Sequence, residues 1–281
     1  MRRFLSLTVL LGIVLGLVSC ATTGPGGRHS LIIIPTSQEV AIGSGMAEQL
    51  AESEKFLDDS LWQQYINEVG QRIVKVCDRR DITYHFAVIE SDQVNAFAAP
   101  GGWIYIYTGL LSRMDNEAEM AAVLSHEVSH VVARHGVKRL QKALGFALAY
   151  QLVFGDNPSK ATQAAVGTGM GLLFAGYSRD AEREADRFGF EYMTRVGYDP
   201  HGAVTMFEKL AAIGGAGSAN VFEKLSRSHP ETQERIANAR AWIRANQARL
   251  RAAKLTFGTE RYQKMRLRLP ALPVDSSAAT H

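Results

Sequence analysis

The sequence contains only two cysteines, Cys20 and Cys77, so it cannot be one of the small secreted scaffolds that several disulfides hold together. A large charge of one sign is also missing, since the formal net charge is +3 over 281 residues. This balance gives no electrostatic reason to expect a nucleic acid partner. The content of 46% hydrophobic and 21% charged residues is ordinary for a globular protein with a sizeable core in one large or two small domains.

No hydrophobic run is as long as the roughly 18 to 20 residues that cross a bilayer as a helix. Residues 143–154 and 164–177 are apolar but shorter, which favours buried or lid-like helices, with insertion into a membrane surface as the alternative. The apolar run at residues 5–18 follows two arginines. Residues 1–19 therefore have the proportions of a signal peptide.

Residues 17–20, with the sequence LVSC, resemble the bacterial lipobox, in which the cysteine is lipid-modified and becomes the new N-terminus. We therefore expect a lipid on Cys20, with a plain signal peptide or membrane anchor and an incidental cysteine as the alternative. The next residue is Ala21 rather than aspartate, which by the same resemblance favours the outer membrane, facing the periplasm. The glycine-rich residues that follow would form a flexible tether. Cys77 would then be a small buried hydrophobe without a disulfide partner.

Periodicity predicts a helix at residues 36–51, where Thr36 and Glu39 are spaced as a capping box, and a second helix at residues 60–77. The pattern then changes to the alternation that is typical of strands, at residues 84–89, 96–98 and 103–107. A Pro-Gly-Gly turn precedes the last of these strands. We expect them to form a small antiparallel sheet directly before the next helix.

Residues 126–130, with the sequence HEVSH, lie inside a helix that we predict at residues 116–140. Because positions i and i+4 share one helix face, His126 and His130 can bind one metal ion, with Glu127 beside it as a base. So short a pattern also occurs by chance, and two helix histidines that only form hydrogen bonds are the alternative.

A zinc hydrolase needs three protein ligands and one open position for water, so a third ligand has to come from elsewhere. The extended template H-E-x-x-H-x-x-G-x-x-H fails, because Ala133 and Gly136 stand at its last two fixed positions. His135 lies about 140° around the helix beyond His130, which points it away from the metal.

A pair of carboxylates on another predicted helix offers a better source for the third ligand. On the helix predicted at residues 178–192, Glu182 and Asp186 repeat the i, i+4 spacing. One of them can bind the metal while the other orients a ligand histidine. Asp180 and Glu184 do not lie on the helix face that Glu182 and Asp186 share.

Three motifs together resemble the M48 family of zinc metallopeptidases, which includes CAAX-prenyl proteases and HtpX-type and Oma1-type enzymes. They are HExxH at residues 126–130, ExxAD at residues 182–186 and SHP at residues 228–230. The resemblance covers about residues 39–240, including the segment from Asn95 to the Pro-Gly-Gly turn. It implies an α+β, mainly helical, zincin-like fold. Since no helical-repeat domain follows, the chain resembles the small bacterial lipoprotein branch of the family.

The resemblance also implies one zinc ion per chain. Its ligands would be His126, His130 and Glu182. Glu127 would be the general base, and Asp186 would lie behind the ligands and orient one of the ligand histidines.

Two further residues match the family pattern. His229 would approach the metal or the scissile carbonyl, and in some exported relatives it occupies the open zinc position, although here it could simply cap a helix. Arg235 matches a catalytic-site arginine, with pairing to Glu231 or Glu234 as the alternative. We expect the sheet edge that aligns the substrate at strand 103–107 or at segment 95–99. The weaker candidates for substrate binding lie in these two segments and are Asn95, Ala96, Phe97, Trp103 and Tyr105.

We therefore expect a zinc-dependent endopeptidase in which Glu127 is the general base, acting on misfolded or misassembled cell-envelope proteins. The alternative is a chaperone-like or binding lipoprotein whose zinc is structural or held latent by His229. The expected organisation is a signal peptide at residues 1–19, a tether at 20–35, a peptidase domain at 36–253 and a C-terminal extension at 254–281 that ends in a disordered tail.

Overall fold

The computed structural model describes residues 21–24, 28–155, 157–215 and 232–271. The strands are β1 (Ala21–Gly24), β2 (Arg28–Leu31), β3 (His85–Ile89), β4 (Ala96–Ala99) and β5 (Trp103–Tyr107). The helices are α1 (Thr36–Ser53), α2 (Ser60–Val74), α3 (Thr108–Leu111), α4 (Glu117–Val132), α5 (His135–Phe154), α6 (Pro158–Leu172), α7 (Arg179–Arg195), α8 (His201–Gly215), α9 (Thr232–Ala245), α10 (Gln247–Ala252) and α11 (Thr259–Arg266). Cys20 and His229, to which the sequence assigns a lipid and a place beside the metal, lie outside the described residues.

The α+β, mainly helical fold is confirmed, but its three-stranded sheet is mixed rather than wholly antiparallel. The strand order is β3-β5-β4, with β3 parallel and β4 antiparallel to β5. After β3 the chain forms β4 at the opposite side of the sheet and then turns back through Pro100–Gly102 into the central position. Gly101 and Gly102 have φ values of 77° and 97° in this turn, a region that glycine adopts at little cost.

The predicted capping box at the start of α1 does not form. Pro35 is the N-cap, without a side-chain cap, and Glu39 is instead fully buried between two arginines. Its Oε2 lies 2.9 Å from Arg79 Nη2 and 2.8 Å from Arg134 Nε. A carboxylate taken out of water needs charged partners, and the two guanidinium groups supply them.

The helix with the HExxH motif, α4, is the centre of the core. Asn116 caps it by accepting a hydrogen bond from the Glu119 N–H at 3.0 Å. Helices α2, α7 and α8 and strand β4 pack around it, and every residue of α4 except Val123 is buried. A helix enclosed in this way has little freedom to move, which suits a segment that carries a metal site.

The predicted continuation of this helix to residue 140 is wrong. The helix ends at Val132 with Ala133 as its C-cap, and Arg134 has a φ of 54°, in the left-handed region that non-glycine residues seldom adopt. Helix α5 then starts at His135, with Arg134 as its N-cap. The break moves His135 from the expected outer face of one helix to the start of another.

Packed residues lie on both sides of residues 36–253, the range predicted for the peptidase domain. Strands β1 and β2 pair within the segment expected to be a tether, and Ile32 and Ile34 are buried in the core. Near the other end, Tyr262 is fully buried and its hydroxyl donates a hydrogen bond to the Leu111 carbonyl at 2.6 Å. Residues on both sides of the predicted peptidase domain are therefore part of its packing.

The two short apolar stretches lie in packed helices. Helices α5 and α6 contact each other, and α6 contacts α1, where Ala165 and Val166 join the same buried cluster as Met46. In the described part of the chain, no helix combines the length and apolar character needed to cross a membrane. Cys77 is buried as predicted, with its Sγ 3.1 Å from the Arg79 carbonyl.

Candidate metal centre and active site

The three predicted metal ligands meet at one point, although they come from helices far apart in the sequence. His126 and His130 lie one turn apart on α4, with 3.0 Å between their Nε2 atoms. Glu182 approaches from α7, with Oε2 3.5 Å from His126 Nε2 and Oε1 3.4 Å from His130 Nε2. All three side chains are buried.

This arrangement fits a zinc ion. Two imidazole nitrogens and a carboxylate are ligands that zinc prefers, and catalytic zinc sites commonly have three protein ligands. Ligand atoms about 2.1 Å from a tetrahedral ion lie about 3.4 Å from one another. The two Nε2 atoms are 3.0 Å apart, and the Glu182 oxygen nearest to each lies 3.5 Å from His126 Nε2 and 3.4 Å from His130 Nε2, which is close to that spacing.

Asp186 lies one helical turn after Glu182 and contacts the other side of the His126 ring. Its Oδ1 is 2.8 Å from His126 Nδ1, which leaves Nε2 to face the metal position. Burial raises the pKa of Asp186, but the charge of Arg235 and the hydrogen bond to His126 outweigh burial and hold the pKa below its usual value. Asp186 therefore stays ionised and can fix the orientation of His126.

Arg235, on α9, holds Asp186 in turn. Its Nε and Nη2 donate hydrogen bonds to Oδ2 and Oδ1 of Asp186 at 2.8 and 2.7 Å. Its Nη1 lies 3.8 Å from Glu182 Oε2, and its guanidinium stacks over the Phe207 ring at 4.2 Å. Of the alternative partners considered from the sequence, Glu234 pairs with Arg183 and Glu231 lies outside the described residues.

A small cavity of about 40 Å³ opens beside the metal position. Glu127, His126 and Arg235 form its polar side. The rest of its wall is mostly apolar and comes from the strand β4 region and helices α3, α4 and α8: Asn95, Ala96, Leu110, Ala122, Val123, Met206, Phe207 and Leu210. Glu127 thus faces a space that can hold a water molecule and an apolar group.

The structure separates the five predicted substrate-binding residues. Asn95 and Ala96 line the cavity beside Glu127. Phe97 belongs to a core cluster and stacks on Tyr105, with 5.0 Å between ring centroids, while Trp103 stacks on His85 across β3 and β5. Because β5 is central and hydrogen-bonded on both sides, strand 103–107 offers no free edge, and of the two predicted edges only β4 is an edge strand.

Two residues beside His130 were not predicted from the sequence. His135 was expected to point away, but the helix break brings its Nδ1 to 2.9 Å from His130 Nδ1. Tyr177 stacks on the His130 ring, with 4.1 Å between ring centroids and an angle of 20°, and its ring centroid lies 5.9 Å from that of His135. Burial raises the pKa of Tyr177 to about 12, so its hydroxyl stays neutral. Gly136, a residue type that often ends helices, was the only sequence signal of the break.

Comparison with known proteins agrees with the geometry. The chain matches the model of Peptidase family M48 over residues 60–243. It is 32% identical to the Beta-barrel assembly-enhancing protease of Escherichia coli (strain K12) over 223 residues, which make up 75% of this chain and 45% of that protein. It is 31% identical to the Mitochondrial metalloendopeptidase OMA1 of Schizosaccharomyces pombe over 180 residues, 64% of this chain and 52% of that protein.

A third relative is closer in length. Metalloprotease YcaL of Escherichia coli (strain K12) is 29% identical over 182 residues, which make up 62% of this chain and 70% of that protein. The chain spans about half the length of the other two relatives. The match runs from the start of α2 into α9, and it therefore includes the buried cluster of two histidines and a glutamate. The chain belongs to the M48 family of zinc metallopeptidases, as its motifs predict.

Proposed function

We propose that this protein is a zinc-dependent endopeptidase that cleaves misfolded or misassembled proteins of the cell envelope. The observation that carries the proposal is the buried cluster of His126, His130 and Glu182 beside a cavity that Glu127 lines. A zinc site with only a structural role is usually closed by four protein ligands and needs no base beside it. Three ligands, an adjoining space and a base are the parts of a hydrolase.

In this mechanism His126, His130 and Glu182 would hold the zinc. Zinc bound there would lower the pKa of a water molecule and polarise the scissile carbonyl. Glu127 takes the proton from the attacking water and then delivers it to the leaving amine. Asp186 and Arg235 keep the His126 ring in place by the hydrogen bonds described above. We assign His229, by its match to the family motif, a place at the metal or the scissile carbonyl.

The walls of the cavity support an unfolded polypeptide as substrate. Met206, Phe207 and Leu210 present apolar side chains on one side, and Ala96 of the edge strand β4 lies on another. A peptide that adds to a free sheet edge has to be extended, and apolar side chains become available when a protein is unfolded. A folded protein exposes few extended segments that could pair with a sheet edge and few apolar side chains.

Two observations support a place in the cell envelope. A relative with 32% identity is named a Beta-barrel assembly-enhancing protease, and the sequence carries a lipobox-like segment at Cys20. We propose that a lipid on Cys20 holds the protein at the outer membrane, facing the periplasm. Replacing Cys20 by Ser should move the protein from the membrane fraction to the soluble periplasmic fraction, and a variant that stays in the membrane would contradict the lipid anchor.

The enzymatic proposal is tested with Glu127→Gln and a fluorescently labelled unfolded casein. The variant should keep one zinc per chain but lose cleavage by several orders of magnitude, because the amide cannot accept the proton. Glu191→Gln is a matched control, since Glu191 lies on α7 and pairs with the exposed Arg249. Undiminished cleavage by Glu127→Gln would contradict the role of Glu127 as the general base. If the zinc-loaded wild type and His229→Ala both leave casein intact, the protein is instead a binding or chaperone-like lipoprotein.

A further inference from the structure

The backbone at Arg134 determines where His135 lies. Arg134 adopts the left-handed conformation, and its side chain is held by Glu39 at 2.8 Å and by the Ile34 carbonyl at 2.7 Å. This turn ends α4 and returns the next residue toward the metal helix. His135 is consequently buried, with its ring against that of His130.

The two histidines can form only one pattern of hydrogen bonds when a metal is bound. His130 directs Nε2 toward Glu182 and the metal position, so its proton has to be on Nδ1. That Nδ1 lies 2.9 Å from His135 Nδ1, which must therefore accept. The remaining His135 nitrogen, Nε2, carries its proton and lies 3.6 Å from Glu184 Oε2.

We propose that His135 is a positioning residue that fixes the tautomer and orientation of the zinc ligand His130, with Glu184 fixing His135 in turn. His135 and Glu184 hold the ligand His130 in its orientation, as Asp186 and Arg235 hold the ligand His126. His135 itself cannot share the ion, because it contacts the nitrogen of His130 that faces away from Glu182. This inference rests on the metal site of the proposed function.

His135 is buried like the ligands, and Glu184 is largely buried. His130 and His135 are 1% and 6% exposed, and the Glu184 side chain is 11% exposed. Water therefore has little access to replace a lost hydrogen bond, and a ligand proton without an acceptor would be costly. Loss of such a supporting partner typically lowers metal affinity about 10- to 100-fold.

The test measures zinc affinity by competition with a chromogenic chelator, in full-length protein carrying Glu127→Gln to prevent self-cleavage. His135→Phe keeps a ring but removes the acceptor, and it should lower zinc affinity about 10- to 100-fold. His135→Asn places an amide oxygen near the position of Nδ1 and should restore most of the affinity. His85→Phe is the matched control, because His85 stacks on Trp103 away from the metal and should leave affinity unchanged.

Unchanged affinity in His135→Phe would overturn the inference, as would an equal loss in the Phe and Asn variants, which would indicate packing alone. Glu184→Leu gives an independent measurement should the Phe variant fail to fold: zinc affinity should fall, and an unchanged value would overturn the chain. Cleavage separates this inference from the proposed function. A wild type that binds zinc but cleaves nothing refutes only the endopeptidase. Normal cleavage by His135→Phe with Glu127 intact, together with unchanged zinc affinity, refutes only the positioning role.

Discussion

Arg235 holds the carboxylate of Asp186 in a two-pronged hydrogen-bonded pair, and the same carboxylate contacts Nδ1 of the metal-site residue His126. The pair joins α9 to α7 in the interior of the protein. The fold and the metal site therefore depend on one interaction, and substitutions of Arg235 should affect both.

Replacing Arg235 by Lys should lower zinc affinity about 10- to 100-fold, because an ammonium group cannot occupy both oxygens of Asp186. Arg235→Ala leaves a buried carboxylate without its charged partner and should lower the free energy of unfolding by about 3 to 5 kcal/mol. Urea denaturation and chelator competition measure the two effects. Arg249→Lys is the control, since Arg249 also forms a two-pronged pair, with Glu191, but on the surface. An equal loss in both lysine variants would contradict the special role of Arg235.

Gly189→Ala should weaken zinc binding through the spacing of two helices. A Cβ at Gly189 would lie 3.2 Å from the backbone nitrogen of His126, so α7 has to move away from α4 and carry Glu182 with it. We expect a loss of about 1 to 3 kcal/mol in stability together with lower zinc affinity. Gly167→Ala on α6, where a Cβ meets no atom within 4 Å, should instead stabilise the protein by about 0.4 to 1 kcal/mol. Wild-type zinc affinity in Gly189→Ala would refute this coupling.

Asp59 should give the protein an acid-dependent part of its stability. Its carboxylate caps α2 by accepting from the N–H groups of Leu61 and Trp62, and it pairs with Arg268. Burial raises the pKa of Asp59, but the hydrogen bonds from Trp62 and Arg268 outweigh burial and hold the pKa below 3.8. A carboxyl group whose pKa is lowered in the folded state stabilises the protein at pH values above its unfolded-state pKa. This stabilisation is lost as the pH falls through the folded-state pKa.

Urea denaturation of wild type and Asp59→Asn, from neutral pH down to about pH 3, measures this contribution. The amide can still cap the helix, so at neutral pH we expect only a small loss, mainly from the ion pair with Arg268. The difference between the two proteins should shrink as the pH falls below 3.8, the ordinary pKa of the aspartate. A difference that is constant over the whole range would show that Asp59 does not titrate in this way.

Residues beyond 253 should be required for folding. Tyr262 is fully buried against Trp62, with 6.1 Å between ring centroids, and Tyr262→Phe should cost about 1 kcal/mol by removing the hydrogen bond to Leu111. Tyr262→Ala should cost about 3 to 5 kcal/mol, as for other large buried aromatic side chains. Phe257→Ala is the control, because Phe257 is 38% exposed. Wild-type thermal stability of Tyr262→Ala would support the predicted domain end at residue 253.

The local parts of the site could be predicted because helix periodicity is a property of neighbouring residues. The spacing of His126 and His130 fixes their common face whatever surrounds the helix. Glu182, about fifty residues later, has no such local link to them. The carboxylate spacing on its helix left Glu182 and Asp186 interchangeable, and only the likeness to a family separated their roles.

The errors arose where a tertiary contact overruled a local pattern. Glu39 stands at a capping-box position, yet the attraction of Arg79 and Arg134 in the interior exceeds what a cap provides. The same Arg134 ends the helix that periodicity extends to residue 140, and His135 changes place as a result. The pairing of β3 with β5 likewise depends on the route of the chain through β4, which alternation does not encode.

Glu39 also gives the protein a mechanical property. Its carboxylate binds Arg134 and accepts a hydrogen bond from the Gly101 N–H at 3.2 Å, and Arg134 in turn binds the Ile34 carbonyl. A force applied to the chain before Ile34 is thus transmitted to Arg134 through a few short bonds, and from there to His135. Tension at the N-terminal end of the domain would therefore reach the surroundings of His130 through Arg134, as well as the core cluster that contains Ile34.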